Sequence, residues 1–214
     1  MRKLTTRLFL INILVAFAIS SCATNFTAGY TSVPVENPVF KTPYFSNPET
    51  DYVYKTNITV YGHDLSGIFV AKKIRDGVHR VVFTTEFGNK LLDFEISDTD
   101  FKVNYIVEEL NRKILIKTLK NDFQLLLRDE FEVAEAYKKD GITVLKSADG
   151  DRFNYLYLSQ DGKKLNKIIQ TSVRKEKLNI TYISENNTFA DKIIILHNDM
   201  KLRIEFNHFK IPTE

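Results

Sequence analysis

Few side chains in this sequence of 214 residues are placed for covalent or metal chemistry. The run His63-Asp64-Leu65-Ser66-Gly67 contains the residue types of a hydrolase triad. Neighbours on one turn cannot reach the nucleophile–base–orienter geometry, and no nucleophile elbow occurs. The four histidines, His63, His79, His197 and His208, do not fall at metal-ligand spacings, whereas a zinc site needs at least three converging ligands. The 8 glycines form no phosphate-cradling loop. The expectation is a non-enzymatic protein with no catalytic residues, no metal and no cofactor.

The residue with modification chemistry is Cys22, the sole cysteine, which excludes an intrachain disulfide. Arg2, Lys3 and Arg7 precede an apolar run from Leu8 to Ile19. Roughly a dozen such residues are too few to span a bilayer and suit a secretory signal. The run ends in Ile19-Ser20-Ser21-Cys22. This resembles a bacterial lipobox, which implies that residues 1–21 are removed and that Cys22 carries the lipid. Several acyl chains give stable anchoring, because each buried methylene contributes about 0.8 kcal/mol and one chain alone is marginal. Ala23, not aspartate, follows the cysteine. By analogy with proteobacterial lipoproteins, that implies outer-membrane placement facing the periplasm.

Loss of the signal alters the charge balance. The chain has 30 Lys and Arg; the three before Cys22 leave as many basic residues as the 27 Asp and Glu. A neutral mature chain offers no bulk attraction for nucleic acid. The remaining length suffices for one domain with a core, expected as a monomer. With 16 Phe, 10 Tyr and no Trp, composition favours β structure. Residues 22–50 carry Pro34, Pro38, Pro43 and Pro48. Prolines at this density predict an extended tether, with the folded domain over 51–214.

The stretch Arg80 to Ile96 reads as two strands joined at Phe87-Gly88-Asn89. Val81, Phe83 and Thr85 share one face, and Leu92, Phe94 and Ile96 share another. Glycine is ordinary at a turn, but the bulky Phe87 beside it is not. Phe101, Val103, Tyr105 and Val107 alternate along the next strand. From Glu108 to Leu127 the apolar spacing changes to three and four, which predicts a helix. Asp140-Gly141, Asp149-Gly150 and Asp161-Gly162 then punctuate further strands. The predicted fold is mainly β: a strongly curved antiparallel sheet, or incomplete barrel, of about eleven strands by strand and turn signals. An amphipathic helix covers its concave face.

This order of features resembles the LolB-like outer-membrane lipoprotein receptors within the LolA/LolB lipoprotein-localisation superfamily. The segment Val82-Phe83-Thr84-Thr85-Glu86-Phe87-Gly88-Asn89-Lys90-Leu91-Leu92-Asp93-Phe94 is similar to that family's strand–loop–strand unit. The resemblance implies a membrane-contact loop at Phe87 and Gly88, and a cavity that takes acyl chains of lipidated cargo. It implies delivery of lipoproteins to the outer membrane, with a periplasmic LolA-like chaperone as donor. An acyl chain needs a dry apolar cavity. Its expected lining is Val81, Phe83, Leu92, Phe94, Val103, Tyr105, Ile180, Leu202 and Ile204, capped by Leu115, Leu119 and Phe123. The alternative is a lipid-binding or structural cell-envelope lipoprotein of the same fold without cargo transfer. The chain departs from the family in lacking its tryptophans and in placing Glu86 beside the apolar tip.

Overall fold

A computed structural model describes residues 26–172, 175–185 and 188–209. Cys22 and the signal segment lie outside the described residues. The strands, in chain order, are β1 (Thr31–Val33), β2 (Val39–Lys41), β3 (Tyr52–Val60), β4 (His63–Arg75), β5 (Val78–Thr84), β6 (Lys90–Ile96) and β7 (Phe101–Ile106). After a 3-10 turn at Glu108–Leu110 comes the helix α1 (Lys113–Leu126). There follow β8 (Glu130–Glu132), β9 (Glu135–Lys139), β10 (Ile142–Asp149), β11 (Arg152–Leu158), β12 (Leu165–Ser172), β13 (Lys175–Ile183), β14 (Lys192–His197) and β15 (Leu202–His208).

Thirteen strands form one antiparallel sheet in the order β1-β9-β10-β11-β12-β13-β14-β15-β3-β4-β5-β6-β7. Its ends, β1 and β7, do not pair with each other, so the sheet is an open, incomplete barrel. The remaining two strands, β2 and β8, make a separate small ladder. The mainly β architecture with one helix agrees with the sequence expectation. The extra strands come from short pieces among the prolines and from β8.

Alternation explains the inner face. Ile168, Ile180, Ile195, Ile204 and Ile58 lie opposite one another across five successive strands. All are buried. Such cross-strand rows of β-branched residues stabilise a sheet through packing on the pleated surface. Asp140-Gly141 makes the expected tight hairpin, with φ of 49° and 80°. Tyr61-Gly62 does the same at 49° and 85°, so β4 starts directly after it at His63. Along β4, His63 and Ser66 project to opposite faces. Asp64 accepts from Thr59 at 2.6 Å, and Ser66 donates to Asn57 at 2.6 Å. No triad is assembled there.

α1 lies over the inner face. Its buried residues Leu119, Asp122, Phe123 and Leu126 recur at helical spacing. The Phe123 ring packs 5.4 Å from Phe69, which stands 4.9 Å from Phe206. The helix is shorter than the expected 108–127, because Glu108–Leu110 closes a tighter turn. Its opening is weakly held: Arg112 gives no side-chain cap, and no acidic residue occupies the first turn.

The segment 22–50 is not a free tether over its described part. β1 pairs with β9, and β2 pairs with β8. Tyr44 stacks 4.8 Å from Tyr182 and donates to the Leu165 carbonyl. Phe45 is fully buried 4.9 Å from Tyr52. Its carbonyl accepts from His79 Nε2 at 2.9 Å, and burial lowers the His79 pKa. Prolines stop helices but do not prevent docking at edges. Aromatic side chains that each bury on the order of 200 Å² outweigh the cost of ordering the intervening chain. Phe45→Ala is predicted to destabilise the domain by about 3–5 kcal/mol, the range for emptying a buried Phe site. Urea unfolding monitored by circular dichroism measures it.

Candidate functional site

The β5–β6 hairpin carries the most exposed large apolar side chain in the described structure. Its body is interior: Val81 opposes Phe94, and Phe83 opposes Leu92, all buried. Its tip is a closed loop. Thr85 N–H donates to the Asn89 carbonyl at 2.9 Å, Gly88 N–H to the Thr85 carbonyl at 3.0 Å, and Asn89 N–H to Thr85 Oγ1 at 3.1 Å. Gly88 adopts φ +86° with open space around its missing Cβ, so conformation rather than room demands glycine there. Phe87 projects outward at 94% exposure.

Two features aim the tip. At its base, a Cβ on Gly67 would lie 2.0 Å from the Thr84 carbonyl. Glycine in β4 therefore lets the end of β5 cross closely over it. Glu86, adjacent to Phe87, pairs with Lys55 at 2.8 Å. That contact draws the carboxylate back toward β3 and away from the apolar tip. Behind the tip, on the outer face, Asp93 accepts from Arg80 at 2.8 and 3.0 Å and from Lys90 at 3.0 Å. These partners, Arg80 foremost, hold its carboxyl well below the ordinary range.

β7 returns the chain toward the tip, since Ile106 opposes Leu92 and Val107 N–H donates to the Leu91 carbonyl. α1 therefore starts on the tip side. Ile114 in its first turn is 68% exposed, and Leu115 is half-buried. Val103 and Tyr105 are also exposed, against the expectation that both line a cavity. The reason is a bulge between Asp93 and Phe94 that leaves Asn104 unopposed. It turns Tyr105 to the outer face beside Asp93, where the Lys90 ammonium lies 5.8 Å from its ring. Val103 keeps the inner face at the open sheet edge.

The other expected lining residues do come together, but as packed interior. Val81, Phe83, Leu92, Phe94, Leu119, Phe123, Ile180, Leu202 and Ile204 are 0–2% exposed. A side chain with so little accessible surface borders no water-sized void. Dense aromatic and aliphatic packing under α1 fills the volume where a cavity was expected. A cleft of about 360 Å³ lies elsewhere, between the β4–β5 turn and the end of α1. Its lining includes Lys73, His79, Asp98, Gln124 and Asp129, a polar set unsuited to an acyl chain. Among the described residues, no group of three or more His, Cys, Asp or Glu could hold a metal. No described helix is long and apolar enough to cross a membrane.

The sequence did not reveal the buried polar contact beneath α1. Asp122 points from α1 into the sheet, where its carboxylate lies 2.9 Å from His197 Nε2 on β14. Helical periodicity carried the signal, because Asp122 falls three residues after Leu119 and four before Leu126. Burial raises the Asp122 pKa, and the His197 contact acts against that rise.

No protein-family profile and no curated protein matches the chain. Among solved structures, a LolA superfamily protein from Nitrosomonas europaea aligns with a TM-score of 0.48 at 11% identity, over 78% of this chain and 90% of that one. A DUF1329 family protein from Desulfovibrio piger aligns with a TM-score of 0.41 at 8% identity, over 77% and 87%. Likeness at these TM-scores and identities carries no weight for function.

The folded state binds the Asp122 proton more tightly than the unfolded chain does. Asp122 is therefore predicted to make stability rise as pH falls through its raised value toward about 4, the unfolded carboxylate range. Asp122→Asn removes that contribution. Denaturant midpoints of both proteins between neutral pH and pH 4 test this, and parallel pH curves contradict it.

Proposed function

We propose that this chain is a lipid-anchored cell-envelope protein that works at a bilayer surface, with the Phe87 hairpin as its membrane contact. The observation that carries the reading is the nearly complete exposure of Phe87 on a hydrogen-bonded tip whose flanking Glu86 is paired elsewhere. An aromatic ring held in water forgoes roughly 1.5–3 kcal/mol of burial. A loop closed by its own backbone bonds keeps the ring available to a partner. A bilayer supplies an apolar phase for the ring and an interface for Lys90 behind it. Cys22, acylated as the lipobox resemblance implies, holds the domain near that bilayer. Placement in the outer membrane facing the periplasm belongs to the same proposal.

The finer role is receipt and insertion of lipidated cargo, supplied by a LolA-like chaperone. The observation favouring it is the weakly capped start of α1, with Ile114 exposed above an apolar interior. Lifting that end would open the packed interior to an acyl chain, whose methylenes gain about 25 cal/mol per Å² on burial. A structural envelope lipoprotein of the same fold would keep α1 closed.

Phe87→Glu is predicted to slow transfer of an acylated lipoprotein into liposomes about tenfold or more, since 1.4 kcal/mol is a factor of ten. Unchanged transfer by Phe87→Glu would remove the loop from the function. Native mass spectrometry of the purified protein tests acyl binding separately. Co-purifying acyl chains support cargo handling, and a protein free of them under cargo excess supports the structural role.

A further inference from the structure

We propose that the outer face of β9–β12, beneath the strap Phe26–Tyr30, is a second bilayer-facing surface that rests on lipid headgroups. This proposal relies on the reading of Cys22 as the lipid anchor. The strap is docked. The Phe26 ring packs 5.3 Å from Tyr155, and Tyr157 donates its hydroxyl to the Phe26 carbonyl at 3.2 Å. Tyr30 N–H closes a turn on the Thr27 carbonyl at 3.0 Å, and β1 then pairs with β9.

These contacts lie outside the main core. Val144 opposes Tyr157 and Tyr137, and Ile169 opposes Tyr155. Tyr155 and Tyr157 alternate with the inward Asn154, Leu156 and Leu158, so this set faces outward. Val144 is nevertheless fully buried and Ile169 nearly so, yet neither joins the inner cluster. The convex side therefore carries its own small core in the region the strap crosses.

Docking sets how far the domain can stand from the bilayer. A free segment over 22–50 would reach about 100 Å at roughly 3.5 Å per residue. With Phe26 fixed, four steps separate it from Cys22, a reach of about 14 Å. The headgroup layer on each side of a bilayer is roughly 5–8 Å thick. The strap face is thus held within about one further layer of the lipid headgroups. Its chemistry suits that position. Lys139 lies 5.8 Å from the Tyr30 ring, Lys167 5.8 Å from Tyr157, and Lys146 4.7 Å from Phe153. Lys146 also neutralises Glu135 at 2.7 Å. Tyrosines with lysines laid across them place apolar rings and cations at one depth, the composition favoured at a membrane interface.

The absence of Trp from the sequence makes single-Trp reporters clean. Lys139→Trp, Lys167→Trp and Phe87→Trp are made in the full acylated protein. Each is bound to phosphatidylethanolamine–phosphatidylglycerol vesicles doped with phosphatidylcholine brominated near the headgroup. Both lysine-site reporters are expected to be quenched. A flexible Gly/Ser insert between Thr24 and Asn25, or Phe26→Ala combined with Tyr157→Phe, should relieve that quenching while the protein stays vesicle-bound. Emission of Lys139→Trp and Lys167→Trp unaffected by bromolipid, with Phe87→Trp quenched, overturns this proposal and leaves the loop reading standing. The reverse pattern supports it and removes the loop. The mass of the Cys22 peptide reports the anchor itself, and an unacylated Cys22 overturns the proposal at its premise.

Discussion

An open sheet with one apolar face must have that face covered, and most of this structure follows from the requirement. Strands β3–β6 and β11–β15 of the thirteen-stranded sheet present an inner face of buried isoleucine, leucine and phenylalanine. Without cover, that surface would exceed what a monomer in water leaves exposed. α1 supplies the cover through Phe123 against Phe69. The segment around Tyr44 and Phe45 seals another part of the interior against Tyr182 and Tyr52. Both covers are fixed to the sheet by buried polar bonds, Asp122 to His197 and the Phe45 carbonyl to His79. Buried polar bonds of this kind specify where a cover sits more than they add to stability.

Against this closed interior, the Phe87 tip stands apart. The same hairpin contributes Val81, Phe83, Leu92 and Phe94 to the core and then extends beyond it. Rigidity in the body and apolarity at the tip are what a membrane probe requires, because a preformed contact loses less entropy on binding. The outer face behind it is held by the Asp93 cluster, which fixes Arg80, Lys90 and Asn104 around one carboxylate.

Much of the fold was legible because side-chain alternation is a direct record of burial. Val81, Phe83, Leu92 and Phe94 were readable as one inward set, and the Asp-Gly turns fell where expected. Three features were not legible. The bulge at Asn104 depends on register with β6, which no local pattern encodes, so Tyr105 was assigned to the wrong face. Prolines in residues 22–50 masked aromatic anchors at Phe26 and Tyr44, whose partners lie more than a hundred residues away in β11–β13, and at Phe45, which packs on β3 and bonds to His79 of β5. The expected cavity failed because composition says that residues are apolar and inward, not whether the facing helix fills the space between them. The exposed Phe87 was legible as an oddity; its direction came from Gly67 and the Glu86–Lys55 pair, both non-local contacts.

The central claim is that Phe87 enters the hydrocarbon of a bilayer. Replacing it by Cys in a protein whose only other cysteine is Cys22, blocked by the acylation proposed above, allows one nitroxide at the tip. Paramagnetic accessibility of that label on vesicles reports its depth directly. The account predicts a label reached readily by oxygen and shielded from a water-soluble nickel chelate. A label as open to nickel on vesicles as it is in solution would contradict it.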